Sequence, residues 1–254
     1  MGTRFAITAM PRSGTNRLVA QLQAQSDIWC HGEVLQIDRV FVTSPSLKWK
    51  KEFPPIESEL LSLRRSDPCA FFEKVYSMNY GRDHCGIKTL FGERQDVALT
   101  KSVLENKAIA KIVVHRTNVL ASYSSYNAAI QDDAWNLKKM ERTPRSKVKF
   151  SEAMFSQYRS RYEERVQKIF VSLQGQEYFV LRYDELNLQA RLAALLRFLG
   201  ACSEVAYVET PAVRGSRDVL SRFSNPEVAE TFLHRCGLTH WSHENDVKDD
   251  LYSA

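Results

Sequence analysis

A chain of 254 residues with 44% hydrophobic side chains can bury a sizeable core, and α/β domains of this length commonly fold as one unit. Five cysteines, an odd number without C-x-x-C spacing, argue for reduced thiols over a disulfide framework. The net charge of +5 is local: between Lys138 and Lys149 the cations Lys138, Lys139, Arg142, Arg145, Lys147 and Lys149 outnumber Glu141 by five, which describes one basic loop rather than a basic protein. Base-stacking aromatics do not interleave with these charges, Trp135 being the one nearby, so nucleic acid is not expected as a partner.

Residues 4–9 read as a short buried strand that breaks into Pro11-Arg12-Ser13-Gly14-Thr15 and becomes an amphipathic helix over 15–26. A strand delivering a glycine turn to a helix N-terminus aims backbone N–H groups and the positive helix end at one point. Arg12, Ser13, Thr15 and Asn16 surround that point with a cation and side-chain donors, which suits phosphate or sulfate. It is not a Walker A loop, because no glycine stands five residues before Gly14 and Thr15 replaces the lysine.

A strand near 28–31 runs into Cys30-His31-Gly32-Glu33-Val34-Leu35. Helices are expected near 57–66 and 69–79, then a strand at 84–89 carrying Gly86-Ile87-Lys88, and a helix at 99–106. The run Ala110–His115 reads as a buried strand ending at Arg116, with a helix over 118–130 that puts Ser124 eight residues after Arg116; Ser122 and Ser125 read as ordinary helical serines. The 131–150 segment reads as a mobile basic excursion, either a solvated loop or a lid. Beyond it, a helix over 151–172 places Met154, Phe155, Tyr158, Tyr162, Val166, Ile169 and Phe170 on one core stripe. A strand at 177–182 and helices at 187–199 and 226–235 follow. Such alternation implies a doubly wound, mostly parallel sheet with helices on both faces and ligands at the carboxyl ends of its strands.

The Pro11–Thr15 loop resembles the 5′-phosphosulfate loop, P-[RK]-S-G-[ST], of sulfotransferases that use 3′-phosphoadenosine 5′-phosphosulfate. Three companions from residue 4 to about residue 200 strengthen the resemblance. They are the Arg116/Ser124 spacing, the Tyr183-Asp184-Glu185-Leu186 turn with its helix closing on Phe198-Leu199-Gly200, and the His31-Gly32-Glu33-Val34-Leu35 stretch, which looks like H-G-E-x-L of bacterial carbohydrate-type members of the nodulation-factor or trehalose type.

The resemblance implies one P-loop-like sulfotransferase domain over 1–254, with a polar tail at 240–254, adenosine 3′,5′-bisphosphate as product and no required metal. It assigns Arg12, Ser13, Gly14, Thr15 and Asn16 to the 5′-phosphosulfate and Arg116 and Ser124 to the 3′-phosphate. Arg214, Ser216 and Arg217 are weaker nucleotide contacts, since Val213–Asp218 departs from the R-K-G-x-x-G-x-W-K stretch of the cytosolic enzymes. Catalysis falls to Glu33 as base, with His31 the other candidate, to Arg12 at the leaving phosphate, and to Lys88 at the sulfuryl group or acceptor. His240-Trp241-Ser242-His243 reads as an exposed pair of histidines rather than a metal site.

The H-G-E-x-L resemblance, with a carboxylate in the expected base position, implies a carbohydrate or glycolipid hydroxyl as acceptor, and the 36–56 segment, which mixes Trp49 and Phe53 with charged residues, agrees with it. A phenol or another alcohol is the alternative acceptor, and a nucleotide-dependent kinase or an inactive nucleotide-binding protein the alternative class. No stretch approaches the ~20 apolar residues of a membrane span and the first strand starts about four residues from Met1, so a cytoplasmic protein is expected, with a homodimer left open.

Overall fold

The computed structural model describes residues 2–43, 55–92, 94–133, 146–201, 206 and 216–244. Trp49 and Phe53, the basic residues from Lys138 to Arg145, Arg214 and the end of the polar tail lie outside the described residues.

Five strands, β1 (Arg4–Ala9), β2 (Ile28–Glu33), β3 (His84–Leu90), β4 (Ala110–His115) and β5 (Tyr178–Arg182), form one sheet in the order β2-β3-β1-β4-β5, every pairing parallel. The helices α1 (Thr15–Gln23), α2 (Pro55–Ser66), α3 (Pro68–Ser77), α4 (Val97–Glu105), α5 (Val119–Gln131), α6 (Glu152–Ser172), α7 (Gln189–Leu199) and α8 (Pro226–Arg235) complete the α/β architecture. The sheet connections reverse direction at β1 and β4, which lie side by side with Ala9 opposite Val114. Their carboxyl ends are where an open α/β sheet gathers a ligand site.

Strand periodicity explains why the sheet is covered twice. In β1, Phe5, Ile7 and Ala9 enter a core with Leu18 and Leu22 of α1 and Leu192, Leu195, Leu196 and Leu199 of α7. The alternate residue Ala6 enters another core with Ile87, Leu60, Phe71 and Val75. Successive side chains of a strand point to opposite faces, so a strand buried on both faces needs helices on both sides. Gly86 belongs to this packing: a Cβ there would collide with the Phe5 ring. The G-I-K sequence thus owes its glycine to the core.

Polar residues set the helix starts. Asp67 accepts from Ala70 N, Asp96 from Leu99 N and Asn118 from Ala121 N, each replacing a missing intrahelical partner. Gly200, in the left-handed region at φ 70°, closes α7.

The chain divides into two compact units. The first, Met1–Met10, Gly14–His115 and Gln167–Thr210, holds the sheet. The second, Pro11–Ser13, Arg116–Val166 and Pro211–Ala254, is built on an aromatic cluster: the Phe150 ring lies 5.6 Å from Phe155 and from Phe232, and 5.5 Å from Phe223. Phe155, Tyr162, Val166 and Ile169 of the expected α6 stripe are buried. Met154 departs from it, at 58% exposure, because one residue before Phe155 places it about 100° around the helix from that ring, at the margin of the inward face.

Candidate active site

The loop after β1 is conformationally unusual at two successive turns. Arg12 has φ 68° and Gly14 φ 84°, both left-handed. Gly14 is required there: besides its φ, a Cβ would stand 2.5 Å from Leu186 Cδ1 and 3.1 Å from the Tyr183 ring. Among the described residues no side chain caps α1, which begins directly after Gly14. An uncapped first turn presents backbone N–H groups and the positive dipole end. Arg12 carries no such steric excuse, and left-handed non-glycine residues concentrate where structure serves a ligand.

In the sheet-bearing unit, Lys88 joins two candidate residues. Its Nζ donates to Asn16 Oδ1 (2.6 Å), in the first turn of α1, and pairs with Glu33 Oε1 (2.9 Å). Glu33 and Lys88 are register partners of β2 and β3, and an irregularity between Cys30 and Glu33 re-aims the end of β2. The other Glu33 oxygen accepts from Gln36 Nε2 (2.5 Å) and Gln95 Nε2 (3.2 Å), two residues that themselves form a β-bridge. Arg64 fixes this segment from below, donating to the carbonyls of Val34, Arg39, Gln36 and Ile37. Burial by itself would raise the Glu33 carboxyl, but the Lys88 ammonium and the donors Lys88, Gln36 and Gln95 outweigh it and hold the group below its ordinary value. Glu33 is therefore an ionised carboxylate, with its side chain still 18% exposed.

His31 sits differently. It is fully buried, its Nδ1 accepts from Thr43 N (3.1 Å), and its Nε2 lies 3.2 Å from the Val75 carbonyl. These partners require a neutral ring with the proton on Nε2, donating to Val75. Burial pushes its pKa down to about 4 against a small upward pull from the carbonyls of Val75 and Met78. Both ring nitrogens thus hold backbone.

In the second unit, Arg116 is buried; its Nη1 donates to the Arg12 carbonyl (2.9 Å), its Nε to Glu244 Oε1 (2.9 Å), and its Nη2 pairs with the same oxygen. Arg12 Nε donates to Ser125 Oγ (3.0 Å). Ser124, the residue expected at the anion, donates to the Ala121 carbonyl of its own helix (3.0 Å), and Ser122 meets Tyr158 Oη (2.9 Å). Ser13 is fully buried and its hydroxyl has no hydrogen-bond partner among the described residues. A buried hydroxyl without a partner in an anion-type turn fits a phosphate or sulfate oxygen as its partner. Thr15 is buried as well. The side chains of Ser216 and Arg217 are exposed, while their backbone supports Arg222 and Glu244 respectively.

The sequence singles out the loop, Glu33, Lys88 and Arg116 as candidates and gives no role to Ser125, Gln36, Gln95, Arg222 and Glu244, which the structure pairs with those candidates or with one another. The Glu33–Lys88 pairing was readable in principle, since both stand at the ends of neighbouring strands. Glu244 lies 128 residues from Arg116, and nothing in that separation marks the two as partners.

No family model and no curated protein matches the chain. Among solved structures it is similar to a sulfotransferase from Alicyclobacillus acidocaldarius, at 15% identity over 92% of this chain and 96% of that one, with a TM-score of 0.49. It is also similar to the mouse sulfotransferase SULT7A1 complexed with PAP (11%; 90% and 65%; 0.44) and to the sulfotransferase domain of the Synechococcus PCC 7002 olefin synthase (14%; 91% and 87%; 0.44).

Proposed function

We propose that this protein transfers a sulfuryl group from 3′-phosphoadenosine 5′-phosphosulfate to a hydroxyl of a carbohydrate or glycolipid. The observation that carries the reading is the Pro11–Asn16 turn. It leaves the central strand β1, bends left-handed at Arg12 and Gly14, buries a Ser13 hydroxyl that has no partner among the described residues and opens onto a helix that none of them caps with a side chain.

The donor supplies an activated sulfuryl group whose in-line transfer leaves a phosphate, so the protein's task is to position groups and offset charge. Arg12 and the first-turn amides of α1 neutralise the leaving 5′-phosphate, and Arg116 with Ser124 holds the 3′-phosphate. Arg12 stabilises charge without giving up a proton, since a guanidinium stays protonated. Lys88 adds a cation between Asn16 and Glu33. Glu33 is the general base: already ionised, it takes the hydroxyl proton while Gln36 and Gln95 keep its carboxylate oriented. The two backbone contacts of His31 favour Glu33 over it in this role.

Radiolabelled sulfate transfer into a panel of saccharides, lipooligosaccharides and phenols tests the reading. Label in a saccharide or glycolipid supports it; label in phenols alone overturns the acceptor while keeping the donor chemistry, and no transfer to any hydroxyl overturns the reaction.

A further inference from the structure

The arginine held by Glu244 is not alone. Arg222, which no motif singles out, reaches the other Glu244 oxygen through Nη2 (2.7 Å), and its Nε (3.0 Å) and Nη2 (2.5 Å) donate to the Ser216 carbonyl. Its side chain is 7% exposed, and Nη1 is buried with no hydrogen-bond partner among the described residues. Glu244 is 5% exposed and held in place by its backbone: Glu244 N donates to the Arg217 carbonyl (2.9 Å), His243 bridges Asp218, and Asn118 Nδ2 donates to the carbonyls of Trp241 and His243.

Two buried guanidinium groups therefore share one carboxylate. Each of its oxygens serves one arginine, and among the described residues Arg222 Nη1 is left over. Burying a charged donor without a partner is costly, and a native structure keeps such a group where it has a use. A phosphate monoester offers three oxygens and close to two negative charges, which matches two planar forks better than a carboxylate does.

We propose that Arg116 and Arg222 together form a two-arginine pocket for a phosphate monoester, in which Glu244 is the resident counter-ion that the phosphate displaces. The inference rests on the reading that Arg116 holds the 3′-phosphate of the donor, and it adds Arg222 as a second phosphate-binding residue and Glu244 as an internal competitor. A carboxylate serving only as a strut for Arg116 has the opposite consequence for affinity. Losing a competitor tightens phosphate binding, whereas losing a strut loosens it.

Calorimetry with adenosine 3′,5′-bisphosphate and with adenosine 5′-monophosphate, which lacks the 3′-phosphate, separates these outcomes. Arg222→Gln should weaken the bisphosphate about 10-fold and change the monophosphate by less than about 2-fold, the selectivity expected for a lost charge-assisted contact to one phosphate. Glu244→Gln should tighten the bisphosphate by about 5-fold or more and leave the monophosphate alone. Equal shifts for both nucleotides in Arg222→Gln, or selective weakening of the bisphosphate in Glu244→Gln, overturn the pocket while leaving the donor reading intact. Because Glu244→Gln strands two buried cations and can cost the fold, Arg222→Gln decides alone if that variant does not fold. If the wild-type protein binds neither nucleotide, the donor reading fails, and inorganic phosphate then decides the pocket. A rise in the wild-type melting midpoint that Arg222→Gln abolishes keeps it, and no response in either protein overturns it.

Discussion

Glu33 and Glu244 are both carboxylates held by cations below their ordinary pKa, in each case against a burial that would raise it, yet their surroundings suit them to different tasks. Glu33 has one ammonium and two neutral amides around it and keeps 18% of its side chain open. Accepting a proton there loosens one ion pair. Glu244 is closed in by two guanidinium groups, and protonating it would strand both. A carboxylate with one cation and neutral donors can cycle its charge; one shared by two arginines acts as a fixed charge that another anion must replace.

The widest separation between the two should appear in stability. Glu244→Ala leaves Arg116 and Arg222 buried without their anion and should cost about 3–5 kcal/mol in urea unfolding. The same truncation at Glu33 should cost clearly less, since Lys88 keeps Asn16 as a partner.

Acid should act through other groups first. Burial pushes His31 and His115 from 6.5 down to about 4, so between those values the unfolded chain binds more protons than the folded one. Stability is full above pH 6.5 and falls as pH drops from there to 4, by roughly 3 kcal/mol per histidine. Glu33 and Glu244 have depressed values, so their contribution is present above about 4.5, the ordinary carboxylate value, and is lost only on further acidification. Urea midpoints measured from pH 7.5 to 4 should show the histidine loss, and His31→Gln should flatten it by about half; an unaltered slope would remove His31 from the account.

At Glu33 the difference should be kinetic. Glu33→Gln keeps the shape and removes the proposed base, and turnover should fall about 10²-fold or more, while bisphosphate affinity stays near wild type. A variant keeping most of its turnover hands the proton to His31 or to the substrate itself. Smallest is Gly14→Ala, which forces a Cβ against Leu186 at positive φ and should cost about 1–3 kcal/mol in thermal unfolding.

Local chemistry was legible in the sequence wherever neighbours in the chain carried it. The apolar runs Arg4–Ala9 and Ala110–His115 gave strands at the expected bounds, because a parallel strand buried on both faces leaves a continuous hydrophobic signal. The Pro11–Thr15 turn was visible because glycine and its flanking donors are contiguous. The contacts that turn those elements into a site were not. Lys88 reaches Asn16 across 72 residues and Arg116 reaches Glu244 across 128, distances over which periodicity says nothing. Ser125 reads as an ordinary helical serine until Arg12 Nε is seen to donate to it. The division into two units was also hidden, since each is assembled from separated stretches of chain with no linker composition between them.

The central claim is that the Pro11–Asn16 turn and Arg116 bind a nucleotide carrying phosphates at both the 5′ and 3′ positions, and a thermal-shift titration reaches it most directly. At equal concentrations adenosine 3′,5′-bisphosphate should raise the melting midpoint well above the rise given by ATP with magnesium, since stabilisation grows with the logarithm of a ligand's affinity for the folded state. ATP with magnesium ranking above the bisphosphate would contradict the account.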